Sequence, residues 1–283
     1  LANPPVVDPA LAASLPSLAL LAVVSFLAGG VNSVAGGGTI LTFPALVAIL
    51  PADAARMVTA NATSTLGLWP ASLAAAWAYG AERQGQPPWA RWLFLPSIAG
   101  AVIGVGLVLL LPPEWFEACV PWLILSAASL FALQPRIAAW LNGPAAADGA
   151  AGAAAAPPGP GRLALAAVLQ LLVAVYGGYF GAGIGILMLA VLGLLGVGDI
   201  HRLNGVKNVL AAAINGTAAA LFAAGSLLGF HDVSWLHAGI MAVAGSAGAV
   251  VAARLARRLP AAVVRQVVAV IGFALAARYF LAG

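Results

Sequence analysis

The chain has 283 residues, of which 63% are hydrophobic and only 7% charged; ordinary soluble domains carry about 25% charged residues, so these side chains cannot cover a water-facing surface. Together with a mean hydropathy of +1.04 this excludes a soluble enzyme and places the chain among polytopic membrane proteins. A single cysteine, Cys119, excludes a disulfide framework or Cys-based metal cluster, and the net charge of +4 is scattered through short loops instead of forming a basic patch, which argues against nucleic acid as a partner.

After an N-terminal tail (residues 1–14), apolar stretches run from Leu15 to Val34, Gly38 to Leu50, Ala54 to Tyr79, Trp92 to Leu111 and Trp115 to Leu133. Five more follow from Leu163 to Gly178, Ala182 to Gly198, Leu203 to Gly229, Trp235 to Ala253 and Ala261 to Leu281. Between the halves (15–141 and 162–283) lie residues 142–161, with 9 Ala, 5 Gly and 4 Pro and no large side chain to pack, which predicts a flexible linker. The first stretch starts far from any basic residue and runs into a Gly-rich turn that has a later counterpart, so it is expected to stay in the mature fold and not to act as a secretion signal.

The halves resemble each other at a nearly constant offset, which points to an internal duplication. Gly29-Gly30 fall on Gly177-Gly178, Asp53 and Arg56 on Asp199 and Arg202, Asn61 on Asn208, Trp77 on Phe222 and Trp89 on Trp235, at offsets of 145 to 148. Arg83, Arg91, Arg136, Arg162, Arg202, Arg254, Arg257 and Arg258 sit in alternate loops, while residues 1–14, 112–114 and 230–234 hold no Lys or Arg. By the positive-inside rule the N-terminus lies outside and the linker in the cytoplasm, so the halves are inverted. Arg56 and Arg278 are exceptions at outer ends. The first pair of segments in each half is read either as two spans or as a broken, re-entrant hairpin; both return the chain to the same side. The expected fold is therefore an all-α polytopic membrane protein of two inverted repeats, each of about five segments. Inverted repeats are an architecture of secondary transporters, with the substrate near mid-membrane where the repeats meet.

The densest polar sequence in the first half, Gly29-Gly30-Val31-Asn32-Ser33-Val34-Ala35-Gly36-Gly37-Gly38-Thr39, precedes a short apolar run. Its glycines predict a helix break that bares backbone N–H groups, and such groups at a helix start bind anions; Ser33 and Thr39 add hydroxyls. Its counterpart is Tyr176-Gly177-Gly178-Tyr179-Phe180-Gly181-Ala182-Gly183-Ile184-Gly185. Close helix packing through small residues is the competing reading of any one glycine. A second polar cluster, Thr59 to Ser64, answers to Asn204 to Asn208 and then Asn215 and Thr217. Within it Lys207 lies five residues beyond Arg202, about 7.5 Å further along a helix. That depth suits either a lysine snorkelling back to the cytoplasmic boundary or an anion ligand.

The eight carboxylates all fall in tails, loops or segment ends, which argues against a cation site or an acidic proton relay. The three histidines lack metal-ligand spacing, and no nucleophile, base and acid recur together, so neither a metal, a cofactor nor enzymatic activity is expected. His201 reads as a loop residue beside Arg202. The eight tryptophans mostly flank segment ends, as interfacial anchors do.

At the two clusters the sequence resembles the TauE/SafE family of sulfite exporters. The resemblance rests on Gly29 through Leu46, on Ala60-Asn61-Ala62-Thr63-Ser64-Thr65, on Tyr176 through Gly185 and on Lys207-Asn208. It implies export of sulfite or a small organosulfonate across the inner cell membrane. On that basis the substrate-binding set is expected to comprise Asn32, Ser33, Gly36, Gly37, Gly38 and Thr39 in the first half with Asn61. Gly181, Gly183, Gly185, Lys207 and Asn208 complete it from the second half. An exporter of another small anion, a non-transport scaffold or biogenesis protein, and a metal or cation transporter are the rival readings.

Overall fold

The computed structural model of the chain describes residues 14–34, 36–53, 55–78, 87–142, 158–195, 200–255 and 261–282. Among them every regular element is helical, as a hydrocarbon solvent demands: with no water to bond, backbone N–H and C=O groups must be satisfied within the segment. The first half comprises α1 (Leu15–Val34), α2 (Thr39–Ile49), α3 (Arg56–Ala78), a 3-10 turn (Pro88–Leu93) running into α4 (Phe94–Leu110), and α5 (Pro113–Asn142). The second comprises α6 (Pro160–Tyr179), α7 (Ile184–Leu194), α8 (Ile200–Leu227), α9 (Trp235–Leu255) and α10 (Ala261–Ala282). Most of the expected tail and linker, and Arg83, Arg257 and Arg258, lie outside the described residues.

The expected stretches and the helices agree closely. The clearest difference is α5, which continues past Leu133 to Asn142: the apolar pattern stops, but the Ala, Ile, Leu, Gln and Arg that follow still propagate a helix already nucleated. Six spans are long and apolar enough to cross a membrane, namely α1, α4 with its 3-10 turn, α5, α6, α8 and α9. By contrast α2 and α7 have 11 residues each, about 16 Å against a hydrocarbon core of about 30 Å. The second segment of each half is thus half-length and cannot cross alone.

The long α3 carries the second polar cluster, Thr59 to Ser64, and Asn61, Thr63 and Ser64 are fully buried there. It packs on α8 and α9, so protein and not lipid surrounds these polar groups, the setting in which they are tolerated at membrane depth. Ser64 Oγ and Thr42 Oγ1 pair at 2.7 Å, and Thr63 Oγ1 accepts the Ser234 N–H at 3.0 Å.

Helix pairing crosses the halves. α1 packs on α9 and α6 on α4; α3 packs on α9 and α8 on α4; α7 packs on α5 and α2 on α10. Exchanging the two halves turns each of these pairs into the other. Two of the contacts are seams of small residues: Gly29 and Gly30 on α1 meet Gly245 and Gly248 on α9, and Gly100 and Gly104 on α4 meet the backbone of α6. Side chains there would hold the helices apart. Along the second seam Gly100 faces Leu171 and Val175 while Gly104 faces Val175 and Tyr179, so α4 and α6 run parallel and their starts, with Arg91 and Arg162, share one side of the molecule.

Trp92, Trp115 and Trp235 are exposed near helix starts, as anchors are, but Trp89 is buried in a core of α4, α6, α7 and α8 residues, and Trp69 packs on Gly216 in mid-helix. Ring contacts of Phe43 with Phe180 (5.3 Å) and Phe116 (6.4 Å) tie α2 and α5 to the loop between α6 and α7.

Candidate functional site

The two half-length helices begin at chain breaks that meet each other. Between α1 and α2 the backbone turns through Gly36 (φ 68°) and Gly37 (φ 142°); between α6 and α7 it turns through Gly181 (φ 81°) and Gly183 (φ 78°). These conformations are strained for a residue with a Cβ. Space excludes one as well: a Cβ on Gly36 would lie 2.8 Å from Gly185 Cα, and one on Gly37 2.5 Å from Gly183 N. The glycines predicted to break the helices also let the two breaks touch back to back.

Side chains satisfy the backbone groups that the breaks release. Asn32 Oδ1 accepts the Gly37 N–H at 3.2 Å, and the Tyr176 hydroxyl donates to the Ala182 carbonyl at 2.6 Å. Asn61 Nδ2 donates at 3.0 Å to the Tyr179 carbonyl at the end of α6, serving one of the acceptors that a helix terminus leaves open.

Two small cavities flank the junction. The first is lined by Asn32 and Gly36 on one side, Ser72 on α3, and Gly185, Lys207 and Asn208 on the other. It brings the start of α7, where N–H groups have no helical partner and the helix dipole is positive, beside a lysine. Lys207 is 1% exposed, and no carboxylate or hydrogen-bond acceptor pairs with it among the described residues. Asn208 Nδ2 is likewise buried without a partner. A buried cation normally has a counter-ion, because leaving one unpaired costs several kcal/mol. The described carboxylates, Asp53, Glu114, Glu117 and Asp232, are all exposed. The lining of the first cavity is therefore rich in donors and electropositive.

The second cavity shares Asn32 and is otherwise lined by Thr39, Thr65, Gly181 and Asn215 with apolar neighbours. Here it is α2 whose first residue faces the cavity. Each cavity has a volume of about 10 Å³, room for about one water.

Of the sequence-derived residues, Asn32, Gly36, Gly185, Lys207 and Asn208 converge on the first cavity and Asn32, Thr39 and Gly181 on the second. Ser33, Gly37, Gly38, Asn61 and Gly183 lie outside both. Ser33 is buried with its hydroxyl unpartnered, Gly38 packs on Ala28, and Gly183 packs on α5. Ser72 and Thr65 line the cavities but stand outside the expected binding set, although Thr65 closes the Ala60–Thr65 motif. They fall on one face of α3 seven residues apart, the same spacing as Asn208 and Asn215 on α8, and two helical turns of polar residues on one face were the available signal. The side chain of His201 lies outside the described residues.

Residues 21–279 match the family described as sulfite exporter TauE/SafE. A "Probable membrane transporter protein ORF9" from a Sinorhizobium species is similar to the chain, with 29% identity over 263 residues, 92% of this chain and 91% of the relative. No solved structure matches significantly.

Proposed function

The chain belongs to the sulfite exporter TauE/SafE family of membrane transporters, and on that premise we propose that it exports sulfite or a closely related small sulfur oxyanion, bound in the first cavity with Lys207 as its counter-ion. The observation that carries this reading is a fully buried lysine with no acidic partner among the described residues, beside the unpaired Asn208 amide and the start of α7. A small oxyanion supplies both the negative charge that Lys207 needs as a partner and acceptors for the donors that Asn208 Nδ2 and the N–H groups at the start of α7 present.

In this reading the halves are inverted repeats, a view supported by helix pairings that survive exchange of the halves, and the substrate sits at their junction. A cavity with room for about one water cannot pass an anion while the halves stay as they are, which favours alternating access: one half rocks against the other along the glycine seams. The side holding Arg91 and Arg162 is then cytoplasmic, with the N-terminus outside and residues 142–161 in the cytoplasm. An inside-negative potential favours anion exit by about 2.3 kcal/mol per charge per 100 mV, so export can run without a coupled ion.

The test is sulfite flux from liposomes holding the purified protein, with an imposed potential and with sulfate and an organosulfonate as competitors. Saturable, potential-dependent sulfite flux supports the reading. Folded protein that moves none of these anions overturns it, and preferential flux of a competitor reassigns the substrate.

A further inference from the structure

The two cavities lie along one line. Moving from the first to the second means moving about seven residues along α3, from Ser72 and Ala75 to Thr65 and Leu68, towards its start, roughly 10 Å at 1.5 Å per residue. On α8, which packs on α3, the same move runs from Lys207 and Asn208 to Asn215, towards its end. Both helices report one displacement, directed away from the α8 start.

A hydrogen-bonded triad links the linings of the two cavities. Asn32 Nδ2 donates to Ser72 Oγ at 2.9 Å and Asn215 Nδ2 donates to the same oxygen at 3.0 Å. Ser72 Oγ in turn donates to the Leu68 carbonyl at 3.3 Å. A hydroxyl has one donor and two acceptor sites, so Ser72 is saturated. The triad joins the wall of the first cavity, through Ser72, to that of the second, through Asn215, and Asn32 lines both. It also ties the halves together, since Asn32 and Ser72 come from one and Asn215 from the other. Through its Oδ1, Asn32 further holds the Gly37 N–H of the first break.

Resting on the transport reading above, we propose that Asn32, Ser72 and Asn215 form a partition between two positions on the anion path, and that the oxyanion opens it by replacing Ser72 Oγ as the acceptor for both carboxamides. Every donor stays satisfied: Asn32 Nδ2 and Asn215 Nδ2 keep acceptors, now oxygens of the substrate, and Ser72 keeps its bond to the Leu68 carbonyl while giving up the two bonds it accepted. The exchange favours a ligand with strongly accepting anionic oxygens, which sulfite, sulfonates and similar oxyanions have and which can serve the two amides separately. A halide accepts from both amides only as one larger, more weakly accepting centre, so it replaces Ser72 Oγ less well. The partition thus selects oxyanions over halides of the same charge, a distinction Lys207 alone cannot make. Because Asn32 also holds Gly37, drawing its side chain off Ser72 pulls on the break, which couples anion entry to movement of the helix tip.

The experiment compares sulfite and chloride flux in the same proteoliposomes for the full chain and for Ser72→Ala, Ser72→Thr, Asn215→Ala and Lys207→Met. Ser72→Ala and Asn215→Ala unlatch the partition and are expected to lower the sulfite-to-chloride flux ratio about tenfold, the change one net hydrogen bond accounts for. Ser72→Thr keeps the hydroxyl and retains the ratio. If Ser72→Ala and Asn215→Ala scale both fluxes by one factor, or if Ser72→Thr loses the ratio as Ser72→Ala does, the triad is merely a helix contact and the proposal falls. Saturable wild-type sulfite flux that Lys207→Met abolishes, with the ratio unmoved by the triad variants, overturns the partition alone. No anion flux from the wild-type protein overturns the transport reading and the partition with it.

Discussion

Replacing Lys207 by Met keeps the length and apolar stem of the side chain and removes its charge, and the surroundings fix what should follow. Lys207 is 1% exposed and unpaired by any described carboxylate, so solvent screening does little to weaken its attraction for an anion. A unit negative charge about 4 Å away gains about 4 kcal/mol at an effective dielectric of about 20. The anion's own loss of hydration takes back part of that gain, whereas the lysine is desolvated already. About half surviving as net affinity corresponds to a weakening of about 30-fold, and full survival to about a thousandfold; we expect roughly a hundredfold. Stability should move the other way, because the folded state no longer holds an unpaired buried charge: Lys207→Met is expected to melt at the wild-type temperature or above it. Sulfite binding by calorimetry in detergent, initial flux in liposomes and thermal unfolding read the two effects separately, and Lys207→Arg, which keeps the charge, should retain part of the binding. Lys207→Met protein that binds sulfite within threefold of wild type, or that loses several degrees of stability, would falsify the assignment of Lys207 as the anion's counter-ion.

Asn32→Asp loses the donor to Ser72 and places a carboxylate in the cavity that Lys207 lines, so sulfite flux should fall at neutral pH and recover in acid, where the carboxyl is protonated and the lysine is again unpaired; a flat pH profile would count against this. Gly36→Ala must adopt φ near 68° and place its Cβ 2.8 Å from Gly185 Cα, combining about 1–2 kcal/mol for the left-handed backbone with about 1–3 kcal/mol of overpacking, and should show as a large loss of melting temperature and folded yield. Glycines of equal helical placement should divide by what they face. Gly248→Ala meets the Phe26 carbonyl across the α1–α9 seam and should be damaging, whereas Gly106→Ala and Gly239→Ala face open space and should be neutral or stabilising by up to about 1 kcal/mol. Equal effects at the three positions in thermal unfolding would remove the seam as an explanation for the glycines.

The path implied by the two cavities changes character along its length. On the proposed path the anion would meet a full positive charge near Lys207, and hydroxyls, a carboxamide and the start of a short helix near Asn215 and Thr39. A strong site followed by a neutral one binds on entry without trapping on exit, the balance any permeation path needs. Which end is the entrance follows from orientation. In the proposed orientation, with Arg91 and Arg162 in the cytoplasm, the charged cavity would be the one nearer a cytoplasmic start of α8, and the gradient would run outward.

The sequence alone carried the membrane class, the succession of segments, the two glycine-rich breaks and the depth of Lys207, because each is a local property: a run of apolar residues long enough to span, a glycine where the helix cannot continue, a cation well inside an apolar stretch. It also carried the likeness of the halves, since an offset between residue numbers needs no coordinates. What it did not carry is convergence. Asn61 and Asn208 occupy matching places in the two halves, yet one is bonded to the Tyr179 carbonyl and the other faces the first cavity with its amide unpaired. Ser72, a lone serine in an Ala-rich stretch, gathers hydrogen bonds from residues 40 and 143 positions away. Those meetings depend on where helices of different halves cross and how closely glycine seams let them approach, so only the packed structure decides which polar groups share a cavity and which are spent on holding the backbone together.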